Sequence, residues 1–293
     1  MERASHTVRS PAVLASLVGG SALLVTGWAL TVWHLKPWSE LWYTIVWTGF
    51  IVAGDGVVAA KTGRSLMLDR PRELVSMVVV SAALWWLFEI ANAWLFDSWS
   101  YTPSPDVPRW WQRTRSTVAF ATLIPATWQA TLLALCFTRP RSIDPVASRG
   151  LACAAIAGGV AVGALIVPFR TLALPISLVS LGLVTDAVNL LRGRTSLLAQ
   201  LRAGAWRVPL CISLGNIAAG VLGELWNYPA DPKWTYRVPY ADVWRLFEMP
   251  LPGYLGYAAL ALDLFALYHL VRVPRRPDAP LAPKHPLTAT GLG

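Results

Sequence analysis

"FEIANAWLFDSWSY", residues 88–101, sets a glutamate and an asparagine inside an apolar run and closes on Trp-Ser-Tyr. "GELWNYPADPKWTY", residues 223–236, carries the same skeleton. The shared pattern is E-x-x-N-x6-W-x-Y, so that at an offset of 135 Glu89, Asn92, Trp99 and Tyr101 fall on Glu224, Asn227, Trp234 and Tyr236. Upstream the offset is 131 and aligns Pro37 with Pro168, Asp55 with Asp186, Lys61 with Arg192 and Ser65-Leu66 with Ser196-Leu197. "IPATWQATLLAL" (124–135) matches "LPGYLGYAALAL" (251–262) more loosely. Hydropathy alone does not produce matched polar identities at fixed spacing, so the chain reads as a duplication.

Both copies are embedded in apolar sequence. The 293 residues are 55% hydrophobic and 14% charged, against about 25% charged in soluble domains. A helix crosses a bilayer with ~20 apolar residues, and such runs lie near 12–33, 40–60, 74–96, 116–137, 150–169, 171–191, 207–227 and 250–271. The expected fold is therefore an all-α integral membrane protein of eight transmembrane helices. Two four-helix repeats span 11–138 and 150–272, and a Pro-rich tail over 273–293 is expected to be disordered. The first run follows Arg3 and Arg9 but is longer than a signal-peptide core and has no small-residue cleavage site after it, so it reads as an uncleaved span.

Four spans per repeat return the chain to its starting side, which makes the repeats parallel, related by an axis along the membrane normal. Of the 25 Lys and Arg residues, seventeen lie on the side that carries both termini and eight on the other. The positive-inside rule then places both termini in the cytoplasm, in a multi-pass protein of the inner membrane. The net charge of +9 is a topology signal with some attraction for anionic lipid; nucleic acid is not an expected partner. Cys136, Cys153 and Cys211 have no paired spacing, and His6, His34, His269 and His285 form no cluster, so neither a disulfide framework nor a metal site is expected. Walker, H-E-x-x-H and G-x-S-x-G patterns are absent, as are the aspartate-rich motifs of polyprenyl transferases, and no cofactor is expected.

Carboxylates inside spans carry the functional expectation. Asp55, Glu89, Asp186, Glu224 and Asp263 all fall there, where an ionised carboxylate costs roughly 2.5–3.5 kcal/mol on insertion scales. Such groups face the bundle interior or stay neutral. Residues three apart share a helix face, so Asn92 is expected to orient Glu89, Asn227 to orient Glu224, and Asn189 to pair with Asp186. Asp55, Asp186, Asn189 and Asp263 are read as structural polar pins, and Gly159 with Gly163 as a close-packing seam. Trp85, Trp86, Trp128 and Trp226, at or inside spans, are candidates to line a cavity and stabilise a cation with their indole faces. Trp99, Tyr101, Trp234 and Tyr236, just beyond spans, read as interfacial anchors.

At "YADVWRLFEMPLPGYLGYAALALDLFALY", residues 240–268, the chain resembles the last block of membrane carotenoid hydratases and, in its Pro-rich acidic approach, the block of membrane lycopene cyclases. The resemblance covers about the last 50 residues and the duplicated helical architecture. Gly253 stands where the hydratase block has Asn, and Glu248 precedes its proline where the cyclase acids follow theirs. Segments 63–73 and 247–257 also resemble a bacterial polytopic membrane family that brings no function with it. The carotenoid resemblance implies an isoprenoid lipid substrate, with Glu248 as a third acid and Tyr254 and Tyr257 as lining aromatics.

The expected function is protonation of an isoprenoid alkene by Glu89 or Glu224 in a dry cavity, without metal or cofactor. Aromatic faces then hold the carbocation until water or an internal alkene quenches it. A proton-coupled carrier and a non-enzymatic structural protein remain open alternatives.

Overall fold

The computed structural model describes residues 10–104, 106–139, 147–238, 240, 243–272 and 290. Apart from Thr290, the Pro-rich tail expected over 273–293 lies outside the described residues, as do Arg3 and Arg9. The architecture is all-helical and multi-pass. Among the described residues seven helical segments are long and apolar enough to cross a membrane, and Arg149–Ala164 is a shorter apolar helix where an eighth span was expected.

The elements recur in the same order. α1 (Pro11–Val32), α2 (Trp42–Thr62), α3 (Leu66–Asp69), α4 (Pro71–Ala91) and β1 (Trp99–Tyr101) are followed by α5 (Arg109–Phe120) and α6 (Leu123–Cys136). Then come α7 (Arg149–Ala164), α8 (Ala173–Leu191), α9 (Leu197–Arg202), α10 (Arg207–Asn227), β2 (Trp234–Tyr236), a small hairpin of β3 (Arg245–Leu246) and β4 (Met249–Pro250), and α11 (Tyr254–Val271). α1 packs along α2 as α7 packs along α8. Small residues permit the second approach, since a Cβ on Gly159 would lie 3.1 Å from the Ser180 carbonyl oxygen and one on Gly163 2.7 Å from Ser180 Oγ.

Two buried aspartates pin the helix ends at matching sequence positions. Asp186 accepts hydrogen bonds from Ser196 Oγ, Leu197 N and Leu198 N, each at 2.8 Å, and so caps the start of α9. Asp55 accepts from Ser65 Oγ and, at 2.7 Å, from Leu66 N at the start of α3. The offset of 131 is thus a copied cap, in which a carboxylate takes the orphan N–H groups of a helix start. Asn189 serves a different neighbour from Asp186, because its Nδ2 donates to Ala266 O on α11 at 2.8 Å. Asp263 lies against Gly182, where a Cβ would collide with its carboxylate oxygen.

The span from 109 to 136 is broken between α5 and α6. Pro125 has no N–H to continue the ladder. Ser81 on α4 repairs the gap by donating to Phe120 O and accepting from Ile124 N at 3.0 Å, the kind of side-chain compensation that lipid-buried backbone requires. α6 then packs along α10 and joins the halves. Below lies a solid core in which Trp128 stacks on Phe265 at 5.1 Å, with Leu132, Ile212 and Tyr268 fully buried around them. Large apolar side chains such as Val25, Val79, Leu87 and Leu214 point outward, as lipid-facing surfaces do.

Candidate functional site

The repeated motif forms a local scaffold. α4 ends in one wider turn, Asn92–Phe96, and Asp97 turns the chain with φ 46°. Asn92 then binds the returning backbone, since Oδ1 accepts from Ser98 N at 2.9 Å and Nδ2 donates to Trp99 O at 2.8 Å. Asn227 does the same at the end of α10, accepting from Trp234 N at 2.9 Å and donating to Trp234 O at 2.8 Å. The amide thus acts as a surrogate strand for the tryptophan. Asn92 and Asn227 were expected to orient the glutamates directly; instead their polar atoms hold the backbone, and the glutamates are oriented by what that backbone carries.

Strand side chains repeat with period two, so W-x-Y puts its two aromatics on one face. Trp99 Nε1 donates to Glu89 Oε1 at 3.1 Å and Tyr101 OH donates to the same oxygen at 2.6 Å. Trp234 Nε1 donates to Glu224 Oε1 at 3.0 Å. Here the hydroxyl partner is Tyr257 from α11, at 2.5 Å, and Tyr236 OH lies 3.0 Å from Tyr257 OH. The two strands pair antiparallel, Trp99 opposite Tyr236, Ser100 opposite Thr235 and Tyr101 opposite Trp234. Ser100 Oγ and Thr235 Oγ1 meet at 3.2 Å in the middle. Equivalent residues pairing reciprocally is the signature of a local twofold axis.

Beneath this ribbon lies a cavity of about 740 Å³ walled by both halves. α2 contributes Tyr43, Thr44 and Trp47, and α8 contributes Leu174, Pro175 and Leu178 at the same positions of the second repeat. Trp85 and Phe88 of α4 and Gly220 and Gly223 of α10, which correspond at the offset of 135, also line it. Tyr101, Tyr236 and Tyr257 bring the hydroxyls to the wall, whereas Glu89 and Glu224 sit behind them. Burial above all, and then the Glu224 carboxyl nearby, hold the Tyr236 phenol well above its ordinary range, so it remains a donor at neutral pH.

The cations on the wall already have partners. Arg115 pairs with Glu40 at 3.1 Å, Lys233 with Glu248 at 2.6 Å, and Arg237 with Asp97. On one flank the wall is apolar. α4 meets the second repeat at its two ends, where 92–96 touch 170–172 and Tyr268 OH donates to Glu73 O at 3.4 Å. Between those contacts the cavity is edged by Phe88, Leu178, Val179 and Leu255. Val179 and Leu255 are exposed, so the cavity opens sideways, at the level of lipid chains.

Of the aromatics expected to line a cavity, Trp85 and Tyr257 do so. Trp128 is sealed in the core below, because its ring fills the space beside Phe265 and Tyr268. Trp226 packs edge-on against Trp47, Trp86 donates its Nε1 to Thr117 Oγ1 at 3.1 Å, and Tyr254 OH donates to Leu246 O at 2.8 Å. None of these four is on the wall. Glu248, the third acid, is spent on Lys233. The wall residues missed in the sequence are Tyr43, Trp47, Trp99, Tyr101, Trp234 and Tyr236. The signal for the last four was present, since the spacing W-x-Y recurs with the glutamate in both copies.

Among the described residues no three His, Cys, Asp or Glu side chains are grouped to hold a metal ion. No protein-family model, curated protein or solved structure matches the chain.

Proposed function

We propose that the protein is a bilayer-embedded enzyme that takes a long isoprenoid-type lipid into the cavity under the ribbon and protonates one of its alkenes. The observation that carries this reading is the pairing of cavity-wall phenols with span-buried glutamates inside a largely aromatic and aliphatic wall. Tyrosine hydroxyls can both give and take a proton, and indole and phenol faces stabilise a passing cation. Among the described residues the cations on the wall, Arg115, Lys233 and Arg237, are each paired with a carboxylate, which favours a neutral lipid. The sideways opening gives such a lipid access from the membrane itself. Water closing the cation makes a hydratase, and an internal alkene makes a cyclase.

The finer architecture belongs to the same proposal: two parallel repeats of four crossing elements each, Arg149–Ala164 counted among them, with both termini cytoplasmic and the ribbon on the opposite face of the inner membrane. The reciprocal strand pairing and the duplicated aspartate caps support the repeat. Less in keeping with a proton-coupled carrier is the core of Trp128, Phe265 and Tyr268, which packs solidly in this conformation.

The test is mass-resolved lipid profiling of a bacterial host that accumulates an acyclic carotenoid, with and without the protein. A product heavier by one water, or an isomer with altered retention, is expected. An unchanged profile at verified membrane expression, together with proton-gradient-driven uptake in proteoliposomes, would overturn the reading in favour of the carrier.

A further inference from the structure

Positions related by the duplication hold the ribbon identically but wall the cavity differently. Against Glu224 the wall brings Tyr257, whose hydroxyl bonds the carboxyl and is joined to Tyr236 OH at 3.0 Å. The ring reaches that place because residue 220 is glycine, for a Cβ there would lie 2.6 Å from Tyr257 Cγ and 2.7 Å from Cε2. In the first copy the equivalent of Gly220 is Trp85, whose Nε1 donates to Glu89 Oε1 at 3.0 Å. An indole N–H gives a hydrogen bond but cannot accept one, so Glu89 meets the single phenol of Tyr101 where Glu224 meets the joined pair Tyr257 and Tyr236.

The opposing wall differs in the same sense. Beside Gly223, next to Glu224, lies the Trp47 ring, with Cζ2 3.1 Å from where a Cβ of Gly223 would stand. Trp47 is 7% exposed, and its buried Nε1 has no hydrogen-bond partner among the described residues. The related positions at the other end are Leu178, of the second copy, and Phe88, of the first. Glu224 itself is 0% exposed and its Oε2 is likewise unpartnered, whereas Glu89 is half-buried. One end of the cavity is thus built of Tyr257, Tyr236, Tyr43 and Trp47 in front of Glu224, and the other of Tyr101, Trp85, Phe88, Leu174 and Leu178 in front of Glu89.

We propose that the two copies have parted in function, so that a lipid lies in the cavity in one direction, its reacting end against Tyr257 and Trp47 and its chain along α8 toward the bilayer. This rests on the enzymatic reading above. Tyr257 gives its phenolic proton to the alkene carbon, the π pair becomes the new C–H bond, and the Glu224 acid proton replaces the one lost from the phenol. Water, the co-reactant, adds an oxygen lone pair to the carbocation and releases one proton to the Glu224 carboxylate, restoring the starting acid. In a cyclisation an internal alkene supplies the electron pair and the ring carbon returns the proton. Glu89 is a positioning residue that clamps Trp99 and Tyr101 in the ribbon.

The experiment uses the full chain in nanodiscs with an acyclic C40 polyene and its monohydroxylated derivative. Binding is read by quenching of tryptophan emission and conversion by mass. E224Q and Y257F are expected to lower conversion about 100-fold with polyene binding within threefold, while E89Q loses at least tenfold less and mainly lowers the unfolding temperature. Equal losses from E89Q and E224Q overturn the division of roles. Should the wild-type protein convert nothing, the enzymatic reading fails and the direction is still read by binding. The hydroxylated polyene is expected to bind several-fold tighter than the parent, a preference lost in W47F and Y257F and kept in L178M. Absence of that preference, or its loss in L178M, overturns the proposal.

Discussion

Replacing Gly220 with alanine adds one methyl group, and the ring of Tyr257 already occupies its place. The new Cβ would stand 2.6 Å from Cγ and 2.7 Å from Cε2, inside any van der Waals contact. Neither neighbour can give easily, since the ring is tethered by its hydroxyl to Glu224 at 2.5 Å and the glycine belongs to α10, packed between α6 and α11. Overpacking costs about 1–3 kcal/mol, and losing a hydrogen bond to a carboxyl adds up to about 1.5–3 kcal/mol if the ring swings away. The better helix propensity of alanine returns up to about 1 kcal/mol. The net expectation is a loss of about 1–4 kcal/mol, measured by denaturant or thermal unfolding in detergent micelles. Gly158, where a Cβ meets nothing within 4 Å, is the control, and G158A is expected to be neutral or stabilising by up to about 1 kcal/mol. In a Y257A background the cost of G220A should vanish, because the methyl then enters the space the ring has left. A G220A protein as stable as wild type, or a cost unchanged in Y257A, refutes the wedge and with it the reason Tyr257 reaches Glu224.

Two further outcomes follow from the ribbon. N227A removes both partners of the Trp234 backbone and is expected to destabilise by about 1–3 kcal/mol for each group left buried and unpaired, with a red shift in tryptophan emission; N227D, which keeps the acceptor, should cost less, and equal costs would show the backbone finds other partners. Tyr236 should shape the alkaline limb of stability. An unfolded tyrosine ionises near 10 and the folded phenol is held higher, so its stabilisation is complete below pH about 10 and is lost as pH rises through the folded value. Unfolding midpoints of Y236F should therefore fall less than wild type above pH about 10, and parallel declines would mean the phenol is not protected.

The helices, the membrane setting and the recurrence of motifs were legible because each is a local property of composition or spacing. Asp55 and Asp186 show the extent of that. Their role as caps follows from a carboxylate ten residues before a serine-led short helix, a distance the chain must double back to close. Asn92 and Asn227 show where it stops. Helical spacing places each on the face of its glutamate, but the helix ends there and the amide is captured by backbone seven residues on. The eighth span also shortened, because "IVPFR" (166–170) ends the helix that begins at Arg149 before it reaches crossing length. Trp128 was misread for a related reason. Its position in a span is visible, but whether an indole faces a void or a stacked Phe265 depends on α11, 137 residues away.

The distribution of sameness and difference between the two copies carries the functional argument further than any single residue. Residues that build the ribbon are alike: Glu89 and Glu224, Asn92 and Asn227, Trp99 and Trp234, Tyr101 and Tyr236. Related wall positions on the helices, outside the ribbon, are unlike: Tyr43 and Leu174, Trp47 and Leu178, Trp85 and Gly220, Phe88 and Gly223. A cavity on a twofold axis with identical walls offers both ends of a ligand the same surroundings, which suits a symmetric ligand or none. Tyr43, Trp47 and Tyr257 on one side and Trp85, Phe88, Leu174 and Leu178 on the other suit a molecule whose ends differ. If the acids only held helices together, the wall would have no reason to differ in polarity while the scaffold stayed the same. Exchanging the wall alone tests this directly: W47L with L178W should invert the end at which a hydroxylated polyene is held and leave the unfolding temperature within a few degrees.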